Sequence, residues 1–214
     1  MSTNTVMEQI LELARWAPSG DNVQSWQFEV TAPTHLVVHA SDTRHDCVYD
    51  LDGHPSQISF GALIETIAIA ASAHGLRADV TRRALPPGEE ARPVFDVEFV
   101  ADPQLTPDPL AAQITERTVQ RGRMHTTALT AEQKRQLEQA VGPAYRIDWF
   151  ESMAERKRMA RLMFNNARLR LTMPEAYEVH KRIIHGKASR STHGVPDQAL
   201  GVNPGTLQLM RWAM

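Results

Sequence analysis

Arg15-Trp16-Ala17-Pro18-Ser19-Gly20-Asp21-Asn22-Val23-Gln24-Ser25-Trp26-Gln27-Phe28 joins the end of a helix, a tight polar loop and the start of a strand. Pro18 stops the helical pattern because its ring removes a donor and clashes with the preceding turn. Trp26, Phe28 and Val30 alternate with polar residues, the period of a half-buried strand. Between them stand Ser19, Asn22 and Gln24, all uncharged hydrogen-bonding groups. Such groups on a loop held between two rigid elements suit recognition of a flat polar ring.

Upstream, Thr5 and Glu8 form a capping box, and Val6, Ile10, Leu13, Ala14 and Ala17 fall on one face of a helix over residues 6–16. Downstream, Leu36-Val37-Val38 is a second short strand and residues 42–55 are a polar loop. Residues 56–74 read as a helix buried on nearly every side and stopped by Gly75 in a left-handed cap. A strand near residues 78–85, a Pro-Pro-Gly turn and Phe95-Asp96-Val97-Glu98-Phe99 predict an antiparallel hairpin.

Residues 102–109, rich in proline and aspartate, read as a linker between two parts, 1–101 and 110–214, within one compact unit. Helical signals restart at Leu110. Thr130 with Gln133, and Ser152 with Glu155, mark two more helix starts, separated by a Gly142-Pro143 stop and an expected strand over residues 145–150. Pro174 suits a first helical turn. Residues 186–205 read as a long loop, and residues 207–214 as a terminal helix. The first helix and its aromatic strand find a weak echo in Glu132 to Ala140 followed by Trp149 and Phe150. On this motif alone, chance likeness of two amphipathic helices is the favoured reading.

Arg117-Thr118-Val119-Gln120-Arg121 is the second candidate binding segment. Two guanidinium forks four residues apart, with a hydroxyl between them, match the oxygens of one anion. Taken alone, the pattern reads as a solvated helix end. Gly194-Val195-Pro196-Asp197-Gln198-Ala199-Leu200-Gly201 is a third segment, and Gly194 is its candidate residue.

Together these segments resemble the nitroreductase family over most of residues 5–125. Pro18-Ser19, Asn22 and Gln24 are similar to its Pro-Ser loop with Asn-x-Gln-Pro-Trp, with Ser25 standing where the family usually has proline. Arg117, Thr118 and Arg121 resemble its Arg-Arg-Ser-x-Arg phosphate grip, and residues 59–76 its central Gly-Ala helix. The resemblance implies an α+β fold with a mostly antiparallel central sheet packed by helices around a buried central helix. It implies FMN as cofactor, hydride delivered from NAD(P)H, a small-molecule acceptor, and a duplicated, C-terminally short homodimer. Ser19, Asn22 and Gln24 would meet the ring edge or ribityl chain, Arg117, Thr118 and Arg121 the phosphate, and a Gly194 N–H the ring. The alternative is a flavin-free relative that binds or stores a small molecule.

Other classes find little support. The 214 residues carry a net charge of -2 and one cysteine, Cys47, so neither nucleic acid, membrane nor a disulfide framework is expected. The first residues lack the basic start and apolar core of a signal peptide, which points to the cytoplasm. Asp42, His45, Asp46, Cys47, Asp50, Asp52 and His54 fit no zinc or calcium spacing, so no metal is expected. No catalytic dyad, nucleophile elbow or phosphate loop is present. The apolar end, with Leu207, Leu209, Met210, Trp212 and Met214, predicts packing against a second copy across a two-fold axis.

Overall fold

The computed structural model describes residues 5–122, 124–189 and 191–213. Met214 of the expected terminal helix lies outside them. The chain forms two units, residues 1–121 with 178–214, and residues 122–177.

The first unit is α+β. Helix α1 (Val6–Ala14) starts with the capping box: Thr5 N–H donates to Glu8 Oε2 at 2.7 Å and Glu8 N–H to Thr5 Oγ1 at 3.2 Å. Its buried face is Met7, Ile10, Ala14 and Ala17 rather than one through Val6, which is exposed. The spacing of three, four and three keeps those four positions on one stripe.

Strands β1 (Trp26–Ala32), β2 (His35–Ala40), β3 (Leu76–Arg82) and β4 (Val94–Ala101) form one antiparallel sheet in the order β1-β2-β4-β3. The register sets Phe28 beside Val38, Val38 beside Phe95, and Val97 beside Val80. One sheet face therefore presents apolar side chains to α1 and α2 (His54–Ser72). The expected hairpin is β3–β4, and β3 starts and stops earlier than residues 78–85.

Helix α2 begins at His54, with Pro55 in its first turn, where no intrahelical donor is required. Leu63 and Ile67 are fully buried, each contributing about 1.5–3 kcal/mol by leaving water. The helix is not buried on nearly every side: Ile58 is 74% exposed, and Gly61 and Glu65 face solvent. The polar residues within it explain how one face can sit in the core. Ser59, Thr66 and Ser72 donate to the carbonyls of Pro55, Ala62 and Ile69 at 2.7–3.0 Å, so no buried hydroxyl is left unpaired. Gly75 takes the left-handed conformation, φ 67°, that the cap needs.

Residues 102–108 are irregular, and the helical restart is one 3-10 turn, Pro109–Gln113, opened by Asp108, whose carboxylate accepts from Leu110 N–H at 2.8 Å. The returning segment contains the end of α5 (Pro174–Ile183), then β5 (Ile184–His185) paired in parallel with β6 (Val195–Pro196). A 3-10 turn, Asp197–Leu200, follows, so the loop expected over residues 186–205 is interrupted by β6, this turn and the start of the last helix. The terminal helix α6 (Pro204–Ala213) starts three residues earlier than expected because Asn203 Oδ1 caps Thr206 N–H at 2.9 Å.

The second unit holds α3 (Ala131–Ala140) and α4 (Met153–Thr172), and the expected capping boxes open both. Residues 145–150 form no strand. Among the described residues of this unit no strand exists to complete a ladder, and an unpaired strand leaves its backbone groups unsatisfied. Trp149 instead donates Nε1–H to Glu138 Oε1 at 2.7 Å. The repeated helix-then-aromatic-strand pattern is therefore not realised. No described helix is long and apolar enough to cross a membrane.

Candidate functional site

The loop after α1 turns back on itself at Gly20–Asn22. Asp21, Asn22 and Gln24 have φ of 51°, 55° and 48°, a region that non-glycine residues seldom adopt. Such a backbone persists only where its surroundings hold it. Here the holding bonds are explicit. Ser19 Oγ accepts Gln24 N–H at 3.1 Å, and Gly20 N–H donates to Ser59 Oγ on α2 at 3.3 Å. Gln24 Nε2 donates to Asn22 Oδ1 at 3.1 Å and to the Thr192 carbonyl at 2.5 Å.

Asn22 and Gly194 form a reciprocal pair. Asn22 Nδ2 donates to the Gly194 carbonyl, and Gly194 N–H donates to the Asn22 carbonyl, both at 3.1 Å. Gly194 has φ 72°, and a Cβ there would lie 2.6 Å from the Ile183 carbonyl. Only glycine fits. The structure thus brings together Ser19, Asn22, Gln24 and Gly194, drawn from two distant segments.

Arg117, Thr118 and Arg121 make other contacts and do not line the cavity beside that cluster. Their segment is not helical, so the two arginines do not share a helix face. Arg117 Nη2 donates to the Trp16 carbonyl at 3.3 Å, at the end of α1, while the backbone of Arg121 packs against Gly201, and all three residues are exposed. Gly201 repeats the logic of Gly194: at φ 72° its Cβ would lie 2.5 Å from the Arg121 carbonyl oxygen.

Beside the loop lies a cavity of about 380 Å³ with mostly apolar walls. Volumes of this order hold small molecules. Ser19, Gly20, Asp21 and Ser25 form one wall, Tyr49 and Ser56 another, and Val179, Arg182 and Ile183 of α5 a third, with His193 also present. Of the seven residues singled out in the sequence, Ser19 alone is in the wall. Asn22, Gln24 and Gly194 instead shape the loop that forms it.

Asp21, Tyr49 and Arg182 were not singled out. Tyr49 Oη donates to Asp21 Oδ2 at 2.6 Å, its ring stacks on His180 at 5.9 Å, and Arg182 Nη2 donates to the Asp46 carbonyl at 2.7 Å. No local pattern marks these residues, since their partners lie far along the chain. Burial, then the bond to Asp21 and its negative charge, push the Tyr49 phenol up, so it stays protonated and keeps donating.

The loop carrying Tyr49 is tied together through Asp50. Burial pushes the Asp50 carboxyl up, but bonds from Thr43, Ser56 and the Gly53 N–H outweigh it and hold it below the ordinary carboxylate range. Asp42 pairs with Arg44 at 2.7 Å. The charged residues of the cavity wall include one cation, Arg182, and two carboxylates, Asp21 and Asp46. With one guanidinium against two carboxylates among mostly apolar walls, the cavity suits a largely neutral molecule rather than an anion.

Compared with known proteins, the chain matches no family model and no curated protein.

Proposed function

We propose that this protein is an FMN-dependent oxidoreductase with a nitroreductase-like fold, working in the cytoplasm as a homodimer, that takes hydride from NAD(P)H and passes electrons to a small-molecule acceptor. The observation that carries the reading is the loop at Ser19–Gln24, bent at three left-handed residues beside a cavity whose size and apolar walls suit a flat ring. Bound FMN would supply the hydride chemistry, which explains why no acid–base dyad stands out.

The chain's own residues bind and exclude water. The Ser19 oxygen already accepts Gln24 N–H, which leaves its hydrogen to donate to a ring edge. Val23, Val179 and Ile183 keep the wall dry. Arg117, Thr118 and Arg121 are assigned to the phosphate, and Arg117 is tied to the end of the helix that leads into the loop. Asn22, Gln24 and Gly194 hold the loop in shape.

The test is protein purified with added FMN. A flavin band at roughly 450 nm is expected, set by the cofactor's own chemistry. Arg121→Ala should weaken FMN by about 1.5–3 kcal/mol, the scale of a charged hydrogen bond. Equal affinity for riboflavin and FMN would refute the phosphate assignment. One observation favours the second reading, a flavin-free binding protein: the Gly194 N–H, expected to meet the ring, is taken by the Asn22 carbonyl. On that reading no flavin band appears at any FMN concentration.

A further inference from the structure

A loop with three non-glycine residues at positive φ needs its surroundings to hold it in that shape. The bonds of Ser19, Asn22 and Gln24 hold its two ends. Its tip, Asp21, accepts the Tyr49 hydroxyl at Oδ2 over 2.6 Å. Tyr49 is itself braced. Its ring stacks on His180, and two residues further along α5 Arg182 grips the Asp46 carbonyl. Helix α5 thus steadies the 42–50 segment at two points, and that segment steadies the loop tip at one.

Both Asp21 and Tyr49 stand in the cavity wall beside Ser19 and Gly20. Moving the tip would move the Ser19 hydroxyl relative to whatever occupies the cavity. We infer that Tyr49 is a positioning residue: its hydrogen bond to Asp21 locks the left-handed loop so that Ser19 faces the ligand, and ligand affinity depends on that lock. The elevated phenol keeps the donor proton in place across the working pH range. The choice of FMN as ligand rests on the function proposed above.

The experiment is a double-mutant cycle on the full chain, with FMN affinity read by flavin absorbance and loop opening read by amide hydrogen exchange over residues 20–24. Tyr49→Phe removes the hydroxyl and keeps the stacked ring. Asp21→Ala removes the acceptor. Each should weaken FMN about tenfold, and the double variant by no more than Tyr49→Phe alone, because the bond that Asp21→Ala deletes is already lost with the Tyr49 hydroxyl. Asp21→Asn keeps an acceptor oxygen and should stay within about threefold of the parent. Exchange at the loop should accelerate in both single variants while the melting temperature moves little.

Multiplying effects in the double variant would mean that Tyr49 and Asp21 touch the ligand separately, and the inference fails. Unchanged affinity in Tyr49→Phe overturns it as well. If the parent protein takes up no FMN, the function proposed above fails, and hydrogen exchange decides this inference alone: unchanged exchange in Tyr49→Phe sinks it.

Discussion

Replacing Gly194 by alanine tests how the two distant segments are joined. The added Cβ would sit 2.6 Å from the Ile183 carbonyl and 2.8 Å from His185 Nε2, both closer than side-chain carbons tolerate. The first is backbone and cannot swing away. The left-handed conformation at φ 72° costs an alanine about 1–2 kcal/mol. Relieving the clash moves residue 194 and breaks its reciprocal pair with Asn22, two hydrogen bonds worth about 0.5–1.5 kcal/mol each. The sum is about 2–5 kcal/mol. For a unit of this size, a central value of about 3 kcal/mol lowers the melting temperature by about 6–12 °C. Calorimetry measures the loss, and amide exchange at Asn22 and Gly194 locates it. Gly20→Ala is the matched control: nothing lies within 4 Å of its Cβ, so it should stay within about 0.5 kcal/mol of the parent. A Gly194→Ala protein as stable as the control would refute the close-approach argument.

Gly61→Ala should stabilise the protein by about 0.5–1 kcal/mol in a melt, since it lies within α2 with nothing inside 4 Å of its Cβ. Ser72→Ala should cost about 1–3 kcal/mol, because Ser72 Oγ accepts the Asp108 N–H at 2.9 Å and its loss leaves that donor unpaired. The Arg211 guanidinium, 2.6 Å away, holds the Asp197 carboxyl down to about 2, below its unfolded value. Its contribution to docking α6 is complete above about pH 4 and is lost as pH falls toward 2. Hydrogen exchange of the α6 amides should follow that window, and Arg211→Met should narrow it. Protection that is flat from pH 5 to 2 in the parent would contradict the assignment.

What could be read along the chain divides by distance. Thr5 with Glu8, Thr130 with Gln133 and Ser152 with Glu155 all cap helices as their spacing predicts, because capping is decided within one turn. The β3–β4 hairpin was legible for the same reason. Residues 145–150 have a strand's composition but find no partner, and pairing is a non-local property. Ser19, Asn22, Gln24 and Gly194 were readable as a group only through a resemblance, while Tyr49 and Arg182 carried no signal. Nor did the left-handed backbone at Asp21, Asn22 and Gln24, since glycine is the residue that usually marks such positions.

The Asn22–Gly194 pair spans 172 positions of chain. During synthesis at about 5–20 residues per second, the N-terminal loop waits roughly 10–30 s for its partner to be made. Through that interval α1, α2 and the sheet can already assemble from neighbouring segments, while the loop and cavity wall stay unlocked. The intervening unit at residues 122–177 must be spooled out before the closing segment returns. Long-range closure of this kind is paid in chain entropy before any contact repays it. The Ser19–Gln24 loop is therefore closed late in synthesis, and a nascent chain halted before residue 194 would carry the sheet without that closure.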